Sequence, residues 1–196
     1  MTDVAPATRL PAGGVDLVYA SEAGTIEGRL HTEPDAKGVI VLAYPTAYSR
    51  FGQHDEALCA IAHAHGYSTL SVDLLTPEET TVRTGELRAH LRQRLSAVFE
   101  DCHRRGQARV LVFAIGEAAP EAVPAAHGRH VHAIVTCALP GTVTLEETDS
   151  DCEASSVLEC TPTLDEPLTW DEIDRAVRRA MVWFDAGLPQ RDSANP

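Results

Sequence analysis

The sequence predicts a single α/β domain: a mainly parallel sheet with helices on both sides. Four runs of strand length and largely apolar character, Val39–Ala43, Ser68–Asp73, Arg109–Ala114 and His130–Cys137, read as strands buried on both faces. Between them lie segments whose apolar residues recur at helical spacing. Strands alternating with helices build parallel sheets through right-handed crossovers. No internal repeat or linker divides the 196 residues, a length that suits one domain.

The first 13 residues are rich in Pro and Ala and are expected to be flexible, as are residues 189–196, leaving a folded domain over 14–188. Gly14 to Ala20 and Thr25 to His31 flank the turn signal Ser21-Glu-Ala-Gly24 and predict a leading antiparallel hairpin. Asp55 to His65 reads as a helix stopped by Gly66. Leu87, Leu91, Leu95, Val98, Phe99 and Cys102 mark one long amphipathic helix. The final helix opens on Thr169-Trp-Asp-Glu172, a capping box, and presents Ile173, Val177, Ala180, Met181 and Phe184 on one face. Trp183 lies beside that stripe and is read as packing; Gly187 and Pro189 end the helix.

Composition narrows the function. Hydrophobic residues at 44% and charged residues at 23% are ordinary for a globular chain. No apolar run approaches the roughly 18 residues of a membrane span, and the start lacks the basic and apolar regions of a signal peptide, so a cytoplasmic protein is expected. A net charge of −13 disfavours a nucleic-acid partner. Eleven of the 29 acidic residues fall between Glu146 and Asp174, where there is no Lys or Arg. That segment is a solvated surface or a docking face for a basic protein partner. The five cysteines, Cys59, Cys102, Cys137, Cys152 and Cys160, form no CxxC pair and suit thiols in a reducing compartment. No cofactor motif is present, and the oligomeric state is not legible.

In open parallel sheets, ligands bind at the carboxyl ends of the strands. Three such ends stand out: Tyr44 to Arg50, Asp73 to Glu79, and Ile115 to Ala119. Together with Leu10-Pro-Ala-Gly-Gly14, Gly38 to Ala43, Gly66-Tyr-Ser-Thr-Leu70 and Arg109 to Ala119, they carry a resemblance. The chain resembles the dienelactone-hydrolase-like branch of the α/β-hydrolase superfamily over about residues 10–137 and again in the last helix, as a truncated member with a degenerate triad. The run Asp73-Leu-Leu-Thr-Pro-Glu-Glu79 is its most specific part. The resemblance implies a three-layer α/β-hydrolase-like domain and a Ser–His–acid triad.

The site residues depart from that pattern. Where the family has a His-Gly-type loop offering backbone N–H groups to an oxyanion, this chain has Tyr44-Pro45, and proline has no N–H. In place of Gly-x-Ser-x-Gly stands Ala114-Ile-Gly-Glu-Ala118, which puts Gly116 at the nucleophile position, or Glu117 if the register slips by one. No histidine follows His132, and Asp149 or Asp151 at the acid position would have no base to orient. A binding or docking pseudoenzyme is therefore expected. The alternatives are acid–base chemistry by Glu117, given a buried elbow that raises its pKa, and a weak esterase using Cys137.

Tyr44, Thr46, Tyr48, Ser49 and Arg50 are the candidate ligand-binding residues, read as one loop that offers phenols, hydroxyls and a guanidinium beside Gly116. His127, His130 and His132 sit at the wrong end of their strand for that site, and no metal is assigned to them. His63 and His65, two apart on a helix, point in different directions. Asp149-Ser-Asp-Cys-Glu153 lacks the glycine and the final acid of a calcium loop.

Overall fold

The computed structural model describes residues 14–47, 49–80, 86–107, 109–137, 157–160 and 170–187. The expected flexible termini, Tyr48 and most of the acidic segment, including Asp149, Asp151 and Glu153, lie outside them.

A seven-stranded sheet runs in the order β1-β2-β4-β3-β5-β6-β7. The leading hairpin is β1 (Val15–Ser21) and β2 (Gly24–His31), antiparallel to each other. β2 in turn lies antiparallel to β4 (Ser68–Asp73). From there the sheet is parallel: β3 (Val39–Tyr44), β5 (Val110–Ile115), β6 (Ala133–Cys137) and β7 (Val157–Cys160). All residues of β3, β4, β5 and β6 are buried, as strands covered on both faces must be.

Two helices cover each face. On one side α1 (Gln53–Ala64) and α5 (Trp170–Gly187) pack on Ile40, Leu42, Leu111, Phe113 and Val135. On the other, α3 (Glu86–Arg104) and α4 (Ala119–Ala126) pack on Val39, Val41, Val110, Val112 and Ile134. The odd and even residues of each strand thus supply separate cores, the period-two consequence of the pleat. A short α2 (Pro77–Thr80) follows β4. Gly38 is required by packing: a Cβ there would stand 2.7 Å from the carbonyl oxygen of Arg109.

The sequence reading is corrected at several edges. The strand expected from His130 begins at Ala133, because Val131 turns back to the Arg129 carbonyl and His132 donates its N–H to Val110. The helix expected from Asp55 starts two residues earlier, at Gln53, with Gly52 as N-cap. Strand β7 and helices α2 and α4 had no counterpart in the reading. Trp183 is half-buried against Phe184, with ring centroids 5.3 Å apart, as packing requires.

Candidate functional site

The carboxyl edge is built from the ends of β3, β4 and β5. The chain leaves β5 through Gly116, whose φ of +57° is left-handed, and passes by a 3-10 turn (Gly116–Ala118) into α4. Only glycine enters that region freely. The geometry is a strand-to-helix elbow, and a Cβ at Gly116 would lie in ordinary contact, 3.5 Å, with Pro45 Cγ. Pro45 and the elbow therefore face each other across the edge.

Glu117 is exposed on the first turn beyond Gly116. Its acid–base role depended on burial to raise the carboxyl toward neutral pH. That burial is missing, and the expectation is corrected: Glu117 is an acid at a helix start, where the dipole favours it.

The loop Pro45–Gly52 departs from the reading in the same way. Tyr44 belongs to β3, not to the loop, and its hydroxyl donates to Asp55 Oδ1 at 2.9 Å. Arg50, 8% exposed, spends its guanidinium on Asp73 and Glu27. Thr46 and Ser49 pair through their hydroxyls and are half-buried. The Ala47 N–H donates to Thr80 Oγ1 at 3.3 Å, tying the loop to α2. Phe51 stands 48% exposed with the guanidinium carbons of Arg50 and Arg29 4.4 and 4.6 Å from its ring centroid. Among the described candidate binders, Thr46 and Ser49 are the ones with partly accessible side chains.

Beneath the edge runs a polar seam that the sequence reading missed. On α1, Asp55, Cys59 and His63 recur every four residues and share one face. Opposite them Thr69, Ser71 and Asp73 alternate along β4. Ser71 Oγ donates to Asp55 Oδ1 at 2.5 Å, Cys59 Sγ lies 3.6 Å from Ser71 Oγ, and His63 Nε2 lies 3.1 Å from Thr69 Oγ1. Burial raises the Asp55 carboxyl to about 6, although the hydroxyls of Ser71 and Tyr44 favour its ionised form. Burial also pushes the Cys59 thiol up to about 12, with Asp55 adding to it. It raises Asp73 against the pull of Arg50. The signal was present: Thr69, Ser71 and Asp73 put a polar residue at every second position of a strand read as buried on both faces.

The Asp73–Glu79 run also has a structural explanation. Thr76 caps α2 with a capping box, its N–H donating to Glu79 Oε2 at 2.9 Å and its Oγ1 accepting from the Glu79 N–H at 3.3 Å. Arg94 of α3, 2% exposed, takes the same carboxylate through both terminal nitrogens at 2.6 and 2.9 Å. It also donates to the carbonyls of Leu74 and Ala23, clamping the hairpin turn and the end of β4 to α3. Chiefly through Arg94, the Glu79 carboxyl is held down to about 2. The motif holds elements together.

The remaining histidines lie elsewhere. The His132 Nδ1 accepts from the Val110 N–H at 3.2 Å, and His130 stacks on His103 with centroids 4.5 Å apart. His63 is buried in the seam, whereas His65 lies 2.9 Å from Asp185 of α5, in the different directions expected. Among the described residues no group of three His, Cys, Asp or Glu side chains is placed to hold a metal ion, and no helix is long and apolar enough to cross a membrane.

No family profile and no curated protein matches the sequence. Solved structures do. The dienelactone hydrolase of Anabaena variabilis ATCC 29413 superposes with a TM-score of 0.66 at 16% identity, over 90% of this chain and 99% of its own. An α/β serine hydrolase without a lid from Xanthomonas campestris gives 0.59 at 11%, over 91% and 98%. An α/β serine hydrolase homologue from Coxiella burnetii gives 0.60 at 13%, over 84% and 81%. The chain spans the first two almost completely. At these identities the likeness is one of architecture: the chain has the α/β-hydrolase fold, in the form seen in dienelactone hydrolase.

Proposed function

We propose that this chain keeps the α/β-hydrolase frame without its hydrolytic chemistry and works as a pseudoenzyme that binds a small molecule at the carboxyl edge of the sheet. One observation carries the reading. Gly116, the position that the resemblance gives to the nucleophile, takes the left-handed conformation of an elbow and has no side chain to attack anything. Two further facts support it. Pro45 faces the elbow where a backbone donor would serve an oxyanion, and no histidine follows His132 in the sequence. The esterase alternative through Cys137 has little support, since that side chain is 1% exposed. Among the described residues of the loop, the partly accessible hydroxyls of Thr46 and Ser49 are polar groups that a ligand can meet.

The test is chemical. The purified protein should hydrolyse p-nitrophenyl acetate no faster than an equal concentration of free imidazole and thiol groups, and a fluorophosphonate should leave every serine unlabelled. Stoichiometric labelling of one serine, or saturable turnover, overturns the reading.

A further inference from the structure

Strands β6 and β7 run in parallel register from Ile134 opposite Val157 to Cys137 opposite Cys160. The last pair places two cysteine positions side by side at the carboxyl edge. Cys137 is also registered with Ile115, the residue before the elbow. We propose that Cys137 and Cys160 are a thiol-exchange site that closes to a reversible disulfide across β6 and β7.

Spacing and face both favour the pair. Neighbouring strands lie about 4.8 Å apart, and registered positions on neighbouring strands belong to the same face of the sheet. Disulfides bridge Cα separations of about 4.4–6.8 Å, a range that contains the strand spacing. The other described cysteines are poorly placed to compete. Cys102 packs in the core on the opposite face of the sheet from Cys137. Cys59 lies on α1 against β4, three strands from β6. The pair also spans the root of an acidic connection, since Glu146, Glu147, Asp149, Asp151 and Glu153 all fall between the two cysteines. Closing the disulfide ties both ends of that connection together.

The oxidant is a low-molecular-weight disulfide such as oxidised glutathione. The Cys160 thiolate attacks a glutathione sulfur, forming a mixed disulfide and releasing one glutathione thiolate, and Cys137, 1% exposed, serves only as the second thiol that attacks from within the protein. The second protein thiolate attacks the protein-side sulfur of that bond and releases the other glutathione. Two protein thiols are oxidised and one glutathione disulfide is reduced to two thiols, the protons given up by the protein thiols being taken by the departing glutathione thiolates. In a reducing compartment the pair rests as a dithiol and closes when the glutathione poise shifts.

The experiment uses the full chain. Reduced protein is incubated with oxidised glutathione, capped with iodoacetamide and digested at glutamates, which separates Cys137, Cys152 and Cys160 into different peptides. The expected product is the Cys137 peptide joined to the Cys160 peptide, two hydrogens lighter than their sum and split by dithiothreitol. Oxidation should raise Tm by roughly 5–10 °C, because the cross-link restricts the unfolded chain. Cys160→Ser should lose that shift and Cys152→Ser should keep it. The wild-type peptide map stands even if a Cys137 variant fails to fold. Alkylation of both cysteines after oxidation, or a cross-link from Cys160 to Cys152, overturns the proposal.

Discussion

Asp55 is the residue whose chemistry differs most from its appearance in the sequence. It sits in the first turn of α1, where an acid is ordinarily an exposed partner of the helix dipole. Here it is 3% exposed and accepts from Tyr44 and Ser71 through one oxygen, Oδ1. Its folded pKa of about 6 exceeds the ordinary carboxyl value of 3.8. Below roughly pH 4 the carboxyl is protonated folded and unfolded alike, and no penalty applies. Between those values the folded state holds a proton that the unfolded state has released, so stability falls as pH rises. Above pH 6 the loss is complete, on the order of 3 kcal/mol. Asp55→Asn keeps an oxygen for both hydroxyls and removes the charge. The variant should therefore match wild type near pH 4 and exceed it in Tm by pH 7.5. Thermal melts of the two proteins across that range isolate the effect, since every other titrating group is shared. An equal deficit of the variant at all pH values would show that Asp55 acts through shape and hydrogen bonding alone.

At the scale of elements, the elbow from β5 into α4 is the feature to rebuild. Gly116→Ser places a hydroxyl at the elbow position that the proposed reading equates with the nucleophile. Space permits it, because the new Cβ meets only Pro45 Cγ at 3.5 Å. The left-handed backbone costs a non-glycine residue roughly 1–2 kcal/mol, so Tm should drop by a few degrees. Hydrolysis of p-nitrophenyl acetate should nonetheless stay at background, since a serine without a base remains a weak nucleophile. A gain of saturable turnover would mean that a base already stands at the edge and that glycine alone silences the site. The elbow was legible in the sequence because its strand is a continuous apolar run ending in Ile-Gly-Glu. The central strands and the long helices were legible for the same reason: burial on two faces or on one helical stripe writes a period into the chain. What escaped the reading had no such period. Strand β7 is four residues inside a polar, acid-rich stretch, and α4 is a short Ala- and Pro-rich segment with no polar face to contrast with its buried one. The seam escaped because α1 looks ordinary alone and the alternating polar residues of β4 do not by themselves name a partner. Only the fold sets Asp55 against Ser71, and only the fold shows that Tyr44 and Arg50 are spent before any ligand arrives.

Over the whole molecule, charge is segregated. Of the net −13, nearly all resides in the segment Glu146 to Asp174, and the remainder of the chain is close to balanced. Much of that balance is local: Arg94 on Glu79, Arg92 on Glu121, Arg105 on Asp101 and Arg129 on Glu100 are ion pairs around α3. The acidic segment has no basic residue of its own to pair with. Its self-repulsion opposes compaction, and the opposition depends on the screening length, about 30 Å at 0.01 M salt and about 8 Å at 0.15 M. Raising salt over that interval should therefore raise Tm. Replacing Asp149 and Asp151 with Asn and Glu153 with Gln removes three of the charges without changing side-chain size. If these carboxylates act only through the field, the triple variant should have a higher Tm than wild type at 0.01 M. At 0.15 M the two should agree closely, because exposed substitutions away from specific contacts change stability by about 0.5 kcal/mol or less. A variant less stable than wild type at 0.15 M would mean that the carboxylates make particular contacts. The same dependence serves a basic protein partner, which we propose meets this segment: its affinity should fall steeply between the two salt concentrations and should be weaker for the triple variant at the lower one. An affinity that ignores both changes would place the partner on another surface.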